Sequence, residues 1–309
     1  MDGILNIDKP PGWTSHDIVA KLRRLLNIRK IGHTGTLDPA ATGVLLICIG
    51  KATRVAEYLV EREKEYRAVL RLGEATDTQD GTGQVIERHD VGDITETRLR
   101  AVIQQFTGNI LQVPPMYSAI KINGVALYKL ARAGQTIPRS ARAIHVSHIG
   151  IGDIRGRDVT LDVTCSKGTY IRTLCHDVGA ALGVGGHLHQ LTRLRVGSFL
   201  RAHALTIETV EQLHREQRLE SSLYHADDVL HDFPAVDVIE PTVTRVRHGG
   251  GVRAEEVTAI LGAGTSGMLV RIREFQRGLL ALGRLSYPIG ELGRPGDTRL
   301  AVSIEKVLV

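Results

Sequence analysis

One carboxylate is distinguished by the loop that carries it. Asp38 lies in a stretch rich in glycine, threonine and proline, after His33 and directly before Pro39. Because a residue before proline is disfavoured in the helical conformation, the loop holds Asp38 in an extended or turn geometry. The apolar run of residues 44–49 predicts a buried strand that anchors the loop. Most Asp-Pro steps are ordinary turns, so this stretch alone does not establish a catalytic carboxylate.

Two more residues could complete a site around Asp38. Tyr66 stands near the start of residues 65–73, whose alternating pattern predicts a strand, and Arg172 follows the sequence Lys-Gly-Thr-Tyr-Ile. An arginine beside the carboxylate would keep it ionised, and an aromatic face above it would suit a flat substrate. Each residue also has an ordinary explanation, as a turn residue, a surface cation or a core aromatic. The sequence alone does not show that the three converge.

Other common chemistries lack their usual signals. Histidines occur in pairs such as His145 and His148, without cysteine or carboxylate at zinc-like spacing, so we expect no metal. The chain has no Walker A motif and no GxGxxG between a strand and a helix, which argues against a nucleotide. It also lacks the Gly-x-Ser-x-Gly elbow of many serine hydrolases. We therefore expect a site that works without a cofactor.

The composition is that of an ordinary globular protein. Of 309 residues, 42% are hydrophobic and 24% are charged, and no apolar run reaches the length of a membrane span. The N-terminus lacks the pattern of a signal peptide. The three cysteines, Cys48, Cys165 and Cys175, are odd in number and far apart, which disfavours a disulfide framework. These features predict a cytoplasmic protein with no membrane partner.

The distribution of positive charge indicates a polyanionic partner. Lysine and arginine number 39 against 34 acidic residues, which gives a net charge of +5. The pI is about 9.2. Basic residues cluster in residues 21–30, 132–142 and 193–201. Separate clusters suit contacts along a phosphate backbone, although many basic proteins bind no nucleic acid.

The order of predicted elements defines the scaffold for these residues. Helices and strands interleave, and several strands are joined by short turns, which predicts an α+β fold. We expect a mixed, largely antiparallel sheet with flanking helices. A capping-box pattern at Thr14 and Asp17 predicts a helix after the first strand. Residues 113–124 predict a strand led by two prolines, and residues 208–231 predict a polar helical region.

A change in the sequence pattern near residue 233 predicts a second domain. Beyond it, short apolar runs alternate with glycine-rich breaks, and residues 268–272 and 279–285 predict strands. We therefore expect one domain over residues 1–232 and a small β-rich domain over residues 233–309.

Several ordered blocks resemble a known family. The sequence Gly-His-Thr-Gly-Thr-Leu-Asp-Pro at residues 32–39 is similar to the signature of the TruB-type tRNA pseudouridine-55 synthases. The matching blocks lie in residues 9–15, 32–45, 66–80, 114–134 and 165–179, with shorter matches at residues 187–188 and 197–199. Five blocks in order over about two hundred residues are far more specific than one short motif. Ala40 and Gly186 depart from the family pattern, at positions that affect packing.

The resemblance implies a reaction and roles for three residues. It implies the pseudouridine synthase fold and the isomerisation of uridine 55 in the T-loop of tRNA, after the base is flipped out. Asp38 would be the catalytic nucleophile, attacking either the ribose or the base. Tyr66 would stack on the uracil and is a candidate for handling the C5 proton. Arg172 would pair with Asp38.

The resemblance also implies how the RNA is held. His33 would occupy the space left by the flipped base, Tyr170 would line the pocket, and Lys9 and Pro10 would support it. The residues implied in substrate binding are His33, Tyr170, Lys9, Pro10, Gly35 and Thr36. The C-terminal domain would be a PUA-like RNA-binding domain that grips the acceptor region of tRNA. We further expect a monomer that binds the tRNA T-arm and aids tRNA folding.

Three other functions are weighed against this one. An RNA-binding or chaperone module would not require Asp38, Tyr66 and Arg172 together. A glycosidase with paired carboxylates needs a second acid, whereas Asp77 and Asp80 are interpreted as turn residues. A synthase that works with a guide RNA is disfavoured because the chain lacks basic low-complexity tails.

Overall fold

Two β-sheets dominate the structure, a computed structural model that describes residues 1–92 and 94–308. The strands are β1 (Gly3–Lys9), β2 (Ile31–His33), β3 (Thr42–Ile49), β4 (Lys64–Leu72), β5 (Glu74–Thr76), β6 (Val85–Arg88), β7 (Gly108–Gln112), β8 (Lys121–Ile122), β9 (Val125–Ala126), β10 (Arg142–Arg155), β11 (Asp158–Cys165), β12 (Gly186–Val196), β13 (Phe199–Leu200), β14 (Ala235–Val238), β15 (Val252–Arg253), β16 (Ala259–Leu261), β17 (Leu269–Glu274), β18 (Gly278–Leu285) and β19 (Leu300–Val307). Strands β5 and β6 form a separate hairpin, as do β8 and β9. The helices are α1 (Ser15–Leu26), α2 (Ala56–Val60), α3 (Glu96–Gln104), α4 (Leu127–Arg132), α5 (Ile171–Ala181), α6 (Ile207–Arg215), α7 (Ala226–Val229) and α8 (Thr242–Arg247).

The larger sheet has the order β1-β3-β12-β4-β11-β10-β7, with β2 beside β3 and β13 beside β12. Its neighbours pair antiparallel, apart from a short parallel contact between β12 and β3. The predicted α+β fold with a mixed, largely antiparallel sheet is therefore confirmed.

Strand β3 carries the anchor for the loop around Asp38, and both of its faces are buried. Leu45 and Ile47 pack into the cluster that contains the apolar side of helix α1. Val44 and Leu46 belong to a different cluster on the opposite face. Burial on both faces explains why this strand is a continuous apolar run and does not alternate.

The smaller sheet has the order β15-β19-β18-β17-β14-β16 and begins at Ala235. The predicted β-rich C-terminal region is confirmed, and both of its predicted strands are present as β17 and β18. The exact domain boundary at residues 232 and 233 stays a prediction.

One apolar cluster joins the two sheets, and we call it the seam. It contains Val44 and Leu59 from the first part of the chain and Leu269, Leu282 and Leu308 from the last. Polar contacts reinforce the seam at its edges. The Arg271 guanidinium lies 2.7 Å from the Asp227 carboxylate, and Arg54 donates to the Val307 carbonyl at 2.8 Å. The C-terminal sheet is therefore packed onto the rest of the chain through shared core residues.

Two predicted elements differ from the structure. The strand predicted over residues 113–124 is wrong, because only Lys121–Ile122 is extended and paired, while β7 ends before the prolines. Proline has no N–H to donate to a ladder, so a strand cannot continue through Pro114 and Pro115. The region predicted to be helical over residues 208–231 is divided into α6, a 3₁₀ turn at Leu219–Ser222 and α7, and α6 ends before Gln217, which has a left-handed φ of 57°.

Within the described residues, no helix combines the length and the hydropathy that crossing a membrane requires.

Candidate active site

An open cleft of about 750 Å³ brings most of the predicted site residues together. The predicted residues in its lining are Asp38, Tyr66, Arg172, Tyr170, Gly35 and Thr36. Lys9, Pro10 and His33 lie outside this lining. The convergence that sequence alone could not show is thus a property of the fold.

Asp38 and Arg172 form an ion pair in the cleft. The Arg172 Nε atom lies 2.9 Å from Asp38 Oδ2, and the arginine side chain is only 7% exposed. Arg172 occupies the first turn of helix α5, and its other nitrogens donate to the carbonyls of Thr78 and Tyr117 at 3.2 and 2.8 Å. These bonds fix the guanidinium in one orientation, and it therefore presents a fixed partner to the carboxylate.

A second carboxylate, Asp80, lies beside the same arginine. Its Oδ2 atom is 3.7 Å from Arg172 Nη1. Its Oδ1 atom accepts hydrogen bonds from the Thr78 hydroxyl and from the Thr82 amide and hydroxyl. Asp80 is therefore a turn residue, as the sequence indicates, and also a member of the site, which the sequence analysis missed. The sequence signal for this second role is the position of Asp80 in the block of residues 66–80 that resembles the family.

The charges around Asp38 act on its protonation in opposite directions. Burial raises the pKa of the Asp38 carboxyl above its ordinary value, the Arg172 guanidinium lowers it, and the Asp80 carboxylate raises it again. Arg172 thus offsets part of the penalty of placing a carboxylate in the cleft, so that the ionised form can serve as a nucleophile.

Two side chains from the first fifteen residues hold the backbone on either side of Asp38. Lys9 is fully buried, and its ammonium donates to the carbonyls of Pro10, Trp13 and Pro39 at 2.9, 2.7 and 3.2 Å. The Ser15 hydroxyl donates to the Leu37 carbonyl and accepts from the Leu37 amide. Burial lowers the pKa of Lys9 to about 8. Lys9 therefore supports the loop from below.

The aromatic residues of the cleft are held by different means. Tyr66 lies on β4, is 8% exposed, and has a pKa raised by burial. The backbone of Tyr170 is clamped by the side-chain amide of Gln112, which accepts from its N–H at 2.8 Å and donates to its carbonyl at 3.1 Å. His33 is half-buried at the end of β2, and its Nδ1 accepts from the Gly35 amide. Burial lowers the pKa of His33, which favours the neutral ring.

The cysteines are poorly placed to act as nucleophiles. Cys48, Cys165 and Cys175 are all buried, and burial raises their pKa values to about 12, 11 and 12. Buried thiols with raised pKa values are inert. Among the described residues, no group of three or more His, Cys, Asp and Glu side chains is arranged to hold a metal ion. Asp38, in contrast, is a carboxylate that lines the cleft and is paired with Arg172.

Two family models match the part of the chain that contains the cleft. Residues 23–171 match the family model described as TruB family pseudouridylate synthase (N terminal domain). Residues 172–232 match the tRNA pseudouridylate synthase B C-terminal domain. Both matches end before the six-stranded sheet begins.

Full-length relatives extend the similarity over nearly the whole chain. A protein of Syntrophotalea carbinolica named tRNA pseudouridine synthase B is 43% identical over 278 residues, which cover 87% of this chain and 90% of the relative. The protein of the same name from Stutzerimonas stutzeri is 42% identical over 303 residues, covering 97% and 95%.

Solved structures show that the similarity includes the C-terminal sheet. A chain of a Cbf5-Nop10-Gar1 complex superposes with a TM-score of 0.77 and 33% identity, over 99% of this chain and 85% of the other. A chain of an H/ACA RNP bound to a substrate RNA gives the same TM-score with 31% identity, over 99% and 85%. With identity above 40% to full-length relatives, and with the Asp38 loop inside the matched region, the chain belongs to the TruB family of pseudouridylate synthases.

Proposed function

We propose that this protein is a tRNA pseudouridine synthase that converts uridine 55 of the T-loop. The observation that carries the proposal is the 2.9 Å pair between Asp38 and Arg172 in a cleft that a nucleotide can enter. The relatives named tRNA pseudouridine synthase B supply the RNA class. The basic composition of the chain agrees with a polyanionic substrate.

The proposed reaction needs only what the cleft provides. The N1–C1′ bond of the uridine breaks, the uracil turns, and C5 bonds to C1′. C5 then loses its proton and N1 gains one, so atoms and electrons balance without an external reactant. Asp38 is the proposed nucleophile, and attack on the ribose or on the base requires its ionised form in either case. The bond that the carboxylate forms breaks again before pseudouridine leaves, which regenerates ionised Asp38. Tyr66 is the proposed stacking partner of the uracil and the candidate for handling the C5 proton.

A uridine in an RNA loop must leave its stack to reach Asp38. Unstacking costs a few kcal/mol, which aromatic contacts in the pocket offset. We assign this contact to Tyr66, with Tyr170, Gly35 and Thr36 lining the rest of the pocket. We further assign His33 to the space that the base leaves. Lys9 and Pro10 act as the support beneath the loop.

The proposed binding mode extends beyond the cleft. Arg132 lies at its rim, 5.5 Å from the centre of the Tyr128 ring, and Lys167 is half-exposed on the same lining. We propose that these cations contact the T-arm and that the C-terminal sheet, as a PUA-like domain, contacts the acceptor region. We propose a cytoplasmic monomer that also aids tRNA folding.

The purified chain alone should convert a T-arm stem-loop RNA. With tritium at C5 of the target uridine, we expect tritium release and pseudouridine at position 55. A matched stem-loop with cytidine at position 55 and the label in a stem uridine should release none, because a paired base is harder to extrude. Conversion of the stem uridine, or conversion only after addition of a guide RNA, would contradict the proposal.

The pH dependence of the reaction rate should change when the charge of Asp80 is removed. The rate requires ionised Asp38 and is lost as the pH falls through the pKa of that carboxyl. Because Asp80 raises this pKa, Asp80→Asn should move the acid limb of the single-turnover rate to lower pH. Asp77→Asn is the matched control on the same loop, since Asp77 accepts from the Gln84 amide. An acid limb that stays in place, or moves to higher pH, would show that Asp80 does not act on Asp38 electrostatically.

A further inference from the structure

Arg193 is a buried cation whose partners differ from those of other arginines on the sheet. It lies on β12, is 3% exposed, and lines the cleft. Within residues 1–92 and 94–308, no carboxylate forms an ion pair with it, whereas Arg195 on the same strand pairs with Glu63 and Glu65. A buried charge without a counterion is expensive unless its hydrogen bonds are satisfied. Its hydrogen bonds therefore indicate what the residue does.

The guanidinium bridges the two ends of the loop that carries Asp38. Its Nε donates to the Val44 carbonyl at 2.6 Å, and its Nη2 donates to the Gly35 carbonyl at 3.1 Å. At Gly43 the backbone packs closely against strand β12, and an added Cβ would lie only 2.1 Å from the Arg193 carbonyl oxygen. One side chain thus fixes the entry and the exit of the Asp38 loop.

Arg193 also lies opposite the cleft tyrosine. Arg193 and Tyr66 are cross-strand neighbours in the β12–β4 pairing, and both line the cleft. The guanidinium charge lowers the pKa of the Tyr66 phenol, against the effect of its burial. One arginine is therefore bonded to the Asp38 loop and adjacent to Tyr66.

We propose that Arg193 is a positioning residue that holds the Asp38 loop and the Tyr66 ring in one fixed geometry for the isomerisation. The inference rests on the proposed function. Arg193 is placed behind the two residues that face the substrate and acts through them. Its positive charge also opposes the burial that raises the pKa of Tyr66.

The test compares Arg193→Lys with Arg195→Lys, its neighbour on the same strand. Lysine keeps the charge but lacks the planar fork that joins the carbonyls of Gly35 and Val44. We expect Arg193→Lys to lower the single-turnover rate on saturating T-arm RNA by about 100-fold, because small displacements of reacting groups have effects of this size. The dissociation constant for RNA should stay within about threefold, and Arg195→Lys should change neither quantity.

A double-mutant cycle with Tyr66→Phe separates positioning from general loss of structure. If Arg193 acts partly through Tyr66, the fold-loss from Arg193→Lys should be smaller in the Tyr66→Phe background. The melting temperature is measured for every variant. Additive effects, a rate within threefold of wild type, or a loss of RNA affinity equal to the loss of rate would each overturn the inference. If the wild-type chain forms no pseudouridine, the proposed function fails. If the wild-type chain is active and Arg193→Lys has the same rate, the inference about Arg193 fails and the proposed function stands.

Discussion

Asp38→Asn should abolish pseudouridine formation while leaving RNA binding intact. Asparagine has nearly the same volume and keeps one oxygen near Arg172, so the cleft retains its shape. The amide is not a nucleophile, and we expect a loss of at least about 10⁴-fold in the single-turnover rate, as for other enzymes that lose their nucleophile. The measurement is tritium release from a T-arm RNA labelled at C5 of the target uridine, alongside filter binding of the same RNA.

Asp162→Asn is a suitable control for this substitution. Asp162 forms an exposed ion pair with Arg67 between neighbouring strands, away from the cleft lining. Its variant should keep the wild-type rate, because exposed pairs contribute little. Residual conversion by Asp38→Asn at more than about one per cent of the wild-type rate would remove Asp38 from the role of nucleophile.

Arg172→Lys should have the second largest effect, a loss of about 10²- to 10³-fold in the single-turnover rate. Arg172 is nearly buried and contacts Asp38, Asp80 and two backbone carbonyls at once. A lysine ammonium cannot reproduce that planar set of donors. The Asp38 carboxylate would then be less well paired, and its repulsion by the Asp80 carboxylate would be less well compensated. The pKa of Asp38 should therefore rise.

The acid limb of the pH profile makes this result specific. A higher pKa for Asp38 moves the limb of Arg172→Lys to higher pH, opposite to the shift expected for Asp80→Asn. Arg71→Lys is the matched control, because Arg71 forms a partly exposed pair with Asp158 on the sheet. If the acid limbs of wild type and Arg172→Lys fall at the same pH, Arg172 orients the loop without influencing the ionisation of Asp38.

Local patterns in the sequence predicted the local parts of this site. The capping box at Thr14 and Asp17 is formed as the pattern indicates. The apolar run after Asp38 is the buried strand β3. Both depend on contacts within a few residues or on one period of hydrophobicity. The convergence of Asp38 with Arg172 depends on pairings across more than a hundred residues, for which the sequence carries only the family resemblance.

Arg193 and Arg195 show why the remainder was not predictable. The two arginines are two positions apart on one strand, and both belong to the basic cluster of residues 193–201, which suits contacts along a phosphate backbone. The structure buries Arg193 against backbone carbonyls and pairs Arg195 with two glutamates. That interpretation is therefore wrong for Arg193. The type of a charged residue does not reveal its partners when they come from distant strands.

The seam determines how deletion experiments on this protein can be read. Leu269, Leu282 and Leu308 belong to the same buried cluster as Val44 and Leu59, so the two parts of the chain share one hydrophobic core. Removing the chain after residue 233 would expose that core to water and weaken the support of β3, which leads directly from the Asp38 loop. In the intact protein the two sheets should melt as a single cooperative unit, because they share this core. A truncated protein that loses tRNA binding would report lost folding as well as lost contacts, and single substitutions on the outer surface are the cleaner probe of RNA recognition.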